Sequence, residues 1–282
     1  VKLVALFLRE IRIEHTLFAL PFAYVGAILA ARGIPSLASL GWITLAVLGA
    51  RTAAMAANRF MDREIDARNP RTARRAVASG ALAPTTMVWA SVAGLALLLW
   101  AAWMLNPLCV KLMPIAALLL LLYPLCKRFT WTSHFVLGAV DGLAPLGAYI
   151  GIAGTITLPA ILLFAAVTIW VAGFDIIYAL MDLAFDEAQG IRSLPVRFGE
   201  ASGRVLPLVL HAVMFLLLAG AGWLAGAGPA YFLGVLSVAV LIIYEEHLFR
   251  SGANLFVINE RVFISNMTFS VLFLITTVGG YV

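Results

Sequence analysis

The chain has 282 residues, 63% of them hydrophobic and only 12% charged, with a formal net charge of +5 and a mean hydropathy of +1.02. Soluble domains run about 45–50% apolar and about 25% charged, so the apolar excess has to face lipid and excludes an ordinary soluble domain. The positive charge sits in loops and does not point to nucleic acid; the two cysteines and four histidines carry no CxxC or HExxH spacing, which speaks against zinc and redox chemistry.

Membrane helices need roughly 17–25 apolar residues, and nine candidate segments follow one another. They are Thr16–Ala31, Leu40–Phe60, Thr85–Leu105, Leu108–Tyr123, Phe135–Ala153, Leu158–Met181, Val205–Leu224, Tyr231–Ile243 and Phe263–Val282. The first has a basic flank but no cleavage signal, and is expected to be retained. The fourth and eighth are short. No period-two alternation runs through them, so helices rather than a barrel satisfy the backbone. The fold class expected is all-α, a polytopic bundle of nine transmembrane helices in one domain spanning 1–282. Cys109 and Cys126 flank the fourth segment, ~25 Å apart along a helix and beyond disulfide reach.

Basic residues gather in alternate loops. One side holds Lys2, Arg9 and Arg12, then the run from Arg59 to Arg75, then Lys127 with Arg128. The set Arg192, Arg197 and Arg204, and Arg250 with Arg261, fall on the same side; the other has little beyond Arg32 and Lys111. The positive-inside rule puts the rich side and the N-terminus in the cytoplasm of a cell membrane. The two longest polar loops, 61–84 and 182–203, both lie there. They also resemble each other: Asn58, Asp62 and Asp66 step by four, as do Tyr178, Asp182 and Asp186, 120 residues later. An internal duplication with halves of about 1–130 and 131–282 would place a site at their interface.

Residues four apart share a helix face. Arg51, Asn58, Asp62 and Asp66 thus form one polar stripe, and Asp175, Tyr178, Asp182 and Asp186 another. Two facing groups of aspartates repel unless cations lie between them. Magnesium suits them, because it takes oxygen ligands and binds one or two carboxylates together with substrate phosphates. Arg71, Arg75, Lys127, Arg128, Arg192 and Arg197 suit the outer oxygens of a diphosphate. Arg51 lies ~16 Å and Asp175 ~10 Å deeper than the following aspartates. With Asp141 they make a mid-depth layer, either a structural ion pair or an acceptor pocket, with Tyr178 and Asn58 between it and the metal layer.

The run Asn58-Arg-Phe-Met-Asp62-Arg-Glu-Ile-Asp66, with Arg71-Thr72, Arg75 and Ser79-Gly80, resembles the first aspartate-rich motif of the UbiA superfamily of intramembrane aromatic prenyltransferases. Asp175, Tyr178-Ala179, Asp182, Asp186, Gly190 to Ser193 and Arg197-Phe198-Gly199 resemble the second. Tyr123-Pro124 and Lys127 to Thr130 are similar to the loop between them. Arg59 departs from the acid often found after the asparagine, a change that resembles the 4-hydroxybenzoate type and related menaquinone-pathway members. The last eighty residues carry only hydrophobic pattern.

The resemblance implies nine helices around a central cavity capped by the two motif loops. It also implies two Mg²⁺ ions on Asp62, Asp66, Asp182 and Asp186, a polyprenyl diphosphate donor and an aromatic acceptor such as 4-hydroxybenzoate. Lys127, Arg128, Arg71, Arg75, Arg192, Asn58 and Tyr178 are then expected around the diphosphate. Arg51, Asn58, Tyr123, Asp141 and Asp175 are expected around the acceptor, with Arg51 pairing a carboxylate and Asp175 or another acid taking the phenol proton. Two other readings remain at this point: the same fold transferring to a glycerol-phosphate acceptor in ether-lipid synthesis, and a transporter with a polar midplane site. Against the transporter, Pro114, Pro145, Gly142 and Gly147 form no matched pair of helix breakers at the repeat offset.

Overall fold

A computed structural model describes residues 2–12, 16–251 and 254–281; His15, Val282 and the side chain of Lys2 lie outside the described residues. The described chain is helical, with no strand. A short helix α1 (Lys2–Glu10) precedes α2 (Thr16–Ala31), α3 (Leu37–Arg68), α4 (Pro84–Leu105), α5 (Pro107–Cys126), α6 (Ser133–Ala153) and α7 (Leu158–Ala179). A single 3-10 turn, Leu180–Asp182, leads to two short helices, α8 (Leu183–Gln189) and α9 (Leu194–Phe198). The bundle is completed by α10 (Glu200–Ala225), α11 (Pro229–Arg250) and α12 (Leu255–Gly279).

Among the described residues eight helices are long and apolar enough to cross a membrane, and α2 contains a shorter apolar helix, Phe18–Ala31. The protein is therefore a multi-pass membrane protein. Its outer surface agrees: Trp89, Trp100 and Trp103 of α4 and Trp223 of α10 are exposed, and tryptophans favour the two membrane–water boundaries. Proline in the first turn starts α4, α5, α7 and α11, where its missing N–H costs nothing. The Asn106 side chain caps α5 through the Leu108 and Cys109 amides and donates to the Ile150 carbonyl, 2.7 Å away, at the far end of α6.

Several boundaries differ from the hydropathy reading, each for a physical reason. The apolar run ends at Phe60, yet α3 continues to Arg68, so Asp62 and Asp66 sit on the helix and the loop is shorter than 61–84. The segment 182–203 is not plain loop but holds α8 and α9. The eighth span extends from Pro229 to Arg250, because the polar Glu245 inside it is satisfied by its neighbours, and the ninth begins at Leu255. Trp170 Nε1 donates to Asn266 Oδ1, and Asn266 Nδ2 to Glu245 Oε1 at 2.9 Å. The other Glu245 oxygen lies 2.8 Å from His211 Nδ1, and His211 Nε2 reaches the Trp170 carbonyl. This closed, fully buried ring joins α7, α10, α11 and α12 beside the main aromatic core, where Phe18 stacks on Trp170 at 4.6 Å. The last eighty residues thus carry more than hydrophobic pattern.

α7 packs between α6 and α10, and α3 packs along α4. The α6–α7 seam is close because Gly138 abuts the Thr168 carbonyl and Gly142 that of Phe164; a Cβ at Gly138 would collide with the Thr168 oxygen. Small residues four apart permit such contact between membrane helices. The seam sets the depth at which the start of α6 meets the end of α7, and that meeting point forms one wall of the site.

Candidate active site

The end of α3, the α5–α6 connection, the end of α7 and α8 surround a polar cavity of about 230 Å³. Asp62 and Asp66 line it from one side and Asp175, Tyr178, Asp182 and Asp186 from the other, with Asn58, Arg71, Arg75, Lys127 and Arg192 between them. Residues 120 apart in sequence therefore face one space.

Three of the four motif aspartates hold a basic partner. Lys127 Nζ donates to Asp62 Oδ2 at 2.6 Å, and Asn58 Nδ2 donates to the same oxygen at 3.0 Å. Arg75 Nη1 donates to both oxygens of Asp66 at 2.7 Å. Arg71 grips Asp182 with two nitrogens, one of them at 2.9 Å. Burial alone would lower the Arg71 pKa, but the hydrogen bond and charge of Asp182 outweigh it and hold the guanidinium above its ordinary value. Arg128 donates to the Met61 carbonyl and stands 3.6 Å from Asp62 Oδ1, on the outer side, where it lines a surface pocket rather than the polar cavity. Arg192 donates to the Phe129 carbonyl while its own amide donates to the Lys127 carbonyl at 2.8 Å, tying the two loops together.

A second cavity of about 270 Å³ lies deeper, almost wholly apolar, running from Arg51, Tyr123 and Asp141 to Leu105 and Ile156. Arg51 Nη1 donates to Asp141 Oδ1 at 3.0 Å, while Arg51 Nε is buried with no hydrogen-bond partner. Asp175 does not join that pair. Its Oδ2 lies 2.7 Å from His134 Nδ1, so the mid-depth layer is split between two carboxylates with different partners.

Sequence reasoning missed three contributors. Asn69, the C-cap of α3, donates to Asp182 Oδ1 at 3.1 Å and joins the two motifs directly. His134 carried no spacing signal. Arg59, the departure from the family pattern, touches the cavity wall but directs its Nε toward α1. It is 5% exposed; its Nε donates to the Glu10 carbonyl at 3.1 Å and lies 3.7 Å from the Glu10 carboxylate. Glu10 in turn accepts from the Ala76 amide at 2.8 Å. Arg59 Nη1 donates to Asn58 Oδ1 at 2.9 Å, which fixes the amide so that its NH₂ faces Asp62. The short helix α1 is thereby latched to the loop carrying Arg71 and Arg75; its amphipathic pattern in residues 2–10 was the available signal.

Magnesium, expected from the aspartate pattern, can be tested against these residues. Among the described residues no three acids, histidines or cysteines come together as a ready-made cage. A cage is not what this ion requires, since it binds through one or two carboxylates plus waters and substrate phosphate. The donor set is hard oxygen throughout, and Asp62 Oδ1 is buried without a hydrogen-bond partner, an acceptor that asks for a cation. The residues fit the ion.

Comparison with known proteins agrees with this geometry. The UbiA prenyltransferase family profile matches residues 19–267. Over 229 residues the chain is 33% identical to the 4-hydroxybenzoate octaprenyltransferase of Alkalilimnicola ehrlichii, covering 80% of this chain and 76% of that protein. The apo structure of a UbiA homologue from Aeropyrum pernix K1 superposes with a TM-score of 0.82 at 33% identity, covering 95% of this chain and 96% of that one. The fold is also that of a UbiA homologue from Archaeoglobus fulgidus bound to GPP and Mg²⁺, with a TM-score of 0.71 at 19% identity and coverage of 96% and 99%. The chain belongs to the UbiA prenyltransferase family.

Proposed function

We propose that the protein transfers a polyprenyl group from its diphosphate to 4-hydroxybenzoate or a close phenolic acid, with the polar cavity facing the cytoplasm. One observation carries this reading: five aspartates from two distant motifs and five lysine or arginine side chains line a single polar cavity. Below it lies an apolar cavity of a size for hydrocarbon, with the partly buried Arg51 near the junction. The names of the relatives support the acceptor, and the basic loops support the orientation.

Asp62, Asp66, Asp182 and Asp186 would hold magnesium. Bound there, magnesium supplies positive charge to the diphosphate oxygens as the allylic C–O bond breaks. Lys127, Arg71 and Arg75, now engaged with the aspartates, are placed to hydrogen-bond the same oxygens when the aspartates turn to metal. Asn58 keeps Asp62 oriented through the change. Tyr178 and Tyr123 offer aromatic faces to positive charge at the allylic carbon, and the surrounding helices keep water out. The free Nε of Arg51 suits the acceptor's carboxylate, with Asp141 holding the rest of the guanidinium. Asp62→Ala and Asp182→Ala enzymes, purified folded, should lose prenyl transfer; undiminished turnover in either contradicts the reading. An enzyme that prenylates a glycerol-phosphate lipid and no phenol would contradict the acceptor.

A further inference from the structure

Resting on that reading of the site, we propose that His134 is a positioning residue that holds Asp175 as the hydrogen-bond and proton acceptor for the acceptor's phenol. The two residues meet because of the α6–α7 seam. Its close approaches pair Gly138 with Thr168 and Gly142 with Phe164, four residues up one helix for four down the other. One further step sets residue 134 opposite residue 172, within a helical turn of Asp175.

The hydrogen bonds fix the proton on the ring. His134 Nε2 faces the Leu194 amide at 3.2 Å, and a backbone amide can only donate. Nε2 therefore presents its lone pair, and the neutral ring bears its proton on Nδ1, the less common tautomer in water. From there it donates to Asp175 Oδ2 at 2.7 Å. His134 is 4% exposed and has no freedom to turn, since Leu194 opens α9 directly behind its N-cap, Ser193.

This sets Asp175 apart from the neighbouring acids. Asp62, Asp66, Asp182 and Asp141 each face a lysine or arginine, and a cationic partner weakens a carboxylate as a base. Asp186 lacks an ion-pair partner among the described residues, but it lies eleven residues further on, in α8. Asp175 has a neutral partner on one oxygen and a side chain 31% exposed into the cavity. Its Oδ1 is the acceptor left open.

The acceptor's ring carbon bonds to the allylic carbon as the C–O bond to diphosphate breaks, and diphosphate leaves with the electron pair. The phenol proton passes to Asp175 Oδ1 as the ring becomes a dienone. That proton returns from Asp175 to the phenol oxygen when the ring loses the proton on its newly bonded carbon to the departing diphosphate and becomes aromatic again. His134 keeps its Nδ1 proton throughout, because the Leu194 amide occupies its other nitrogen.

The test uses the full chain in detergent, labelled prenyl diphosphate and 4-hydroxybenzoate. His134→Leu should lower kcat by about 10–100-fold with the KM for prenyl diphosphate changed less than about twofold, the range seen when an orienting partner is lost. Its loss should shrink with a ring-fluorinated acceptor, whose more acidic phenol needs less help from a base. His134→Gln, whose amide can both accept from Leu194 and donate to Asp175, should restore turnover to near wild type. Histidine-selective ¹⁵N NMR, assigned by the signal missing in His134→Gln, should report protonated Nδ1 and bare Nε2. A ring protonated on Nε2, a Gln variant as impaired as Leu, or equal losses with both phenols overturns the proposal. Wild-type protein that prenylates no phenol overturns the parent reading as well; wild-type turnover matched by His134→Leu overturns this proposal alone.

Discussion

Replacing Arg59 with leucine should destabilise the protein far more than its apparent place in a metal-binding motif suggests. Arg59 and Glu10 are 5% and 6% exposed, and their charges lie 3.7 Å apart. Arg59→Leu leaves the Glu10 carboxylate buried with the Ala76 amide at 2.8 Å but no cation. Breaking a buried pair by removing one partner costs about 3–5 kcal/mol. Glu10→Gln keeps an acceptor for the amide while discarding the charge, so adding it to Arg59→Leu should recover about 1–3 kcal/mol, the coupling expected of residues in contact. A second effect reaches the cavity. Without the 2.9 Å bond from Arg59, the Asn58 amide is free to flip away from Asp62. Losing a net hydrogen bond of about 0.5–1.5 kcal/mol should raise the KM for prenyl diphosphate roughly 2- to 10-fold. Thermal unfolding in detergent, followed by tryptophan fluorescence on both single variants and the double, measures the first effect, and steady-state kinetics the second. An Arg59→Leu protein as stable as wild type, or single effects that simply add, would refute the latch between α1 and the first motif.

Glu245→Ala should strip His211 and Asn266 of their buried partner and lower stability by about 2–4 kcal/mol, at roughly 1–3 kcal/mol per unsatisfied group. Turnover per folded molecule at low temperature should stay unchanged, because the ring lies outside both cavities. Gly138→Ala drives a methyl into the Thr168 carbonyl; the strain should cost about 1–3 kcal/mol, read as a lower unfolding midpoint, and turnover should fall as α6 shifts His134 off Asp175. Lys127→Met should raise the KM for prenyl diphosphate by about tenfold or more, since a charge-assisted hydrogen bond is worth about 1.5–3 kcal/mol, and leave the KM for the phenol unchanged.

The membrane class and the placement of the four aspartates were legible because charge is rare in this chain and recurs at helical spacing just where apolar runs end. The limits of α2 were read correctly for the same reason, polar residues bounding a clean apolar run. Where polar residues continue a helix, hydropathy stops too early. It closed α3 at Phe60 although the stripe of Asn58, Asp62 and Asp66 already required a helix beyond it. It cut α11 at Ile243 because Glu245 reads as an end signal. Glu245 is satisfied by His211 and Asn266, partners 34 and 21 residues away that no local pattern reveals. His134 was invisible for a similar reason. A lone imidazole carries no spacing, and its two partners lie on α7 and α9. Arg59 was read as a mark of subgroup; its physical role needed the position of α1, a helix too short to register as a span.

The central claim is that acidic side chains of two distant motifs act together, with magnesium, on one prenyl diphosphate. Transfer of a labelled prenyl group to 4-hydroxybenzoate by the purified protein, followed while Mg²⁺ is chelated and then restored, tests it most directly. The account predicts product that stops on chelation and resumes with magnesium. Transfer that continues at full rate through chelation would contradict it.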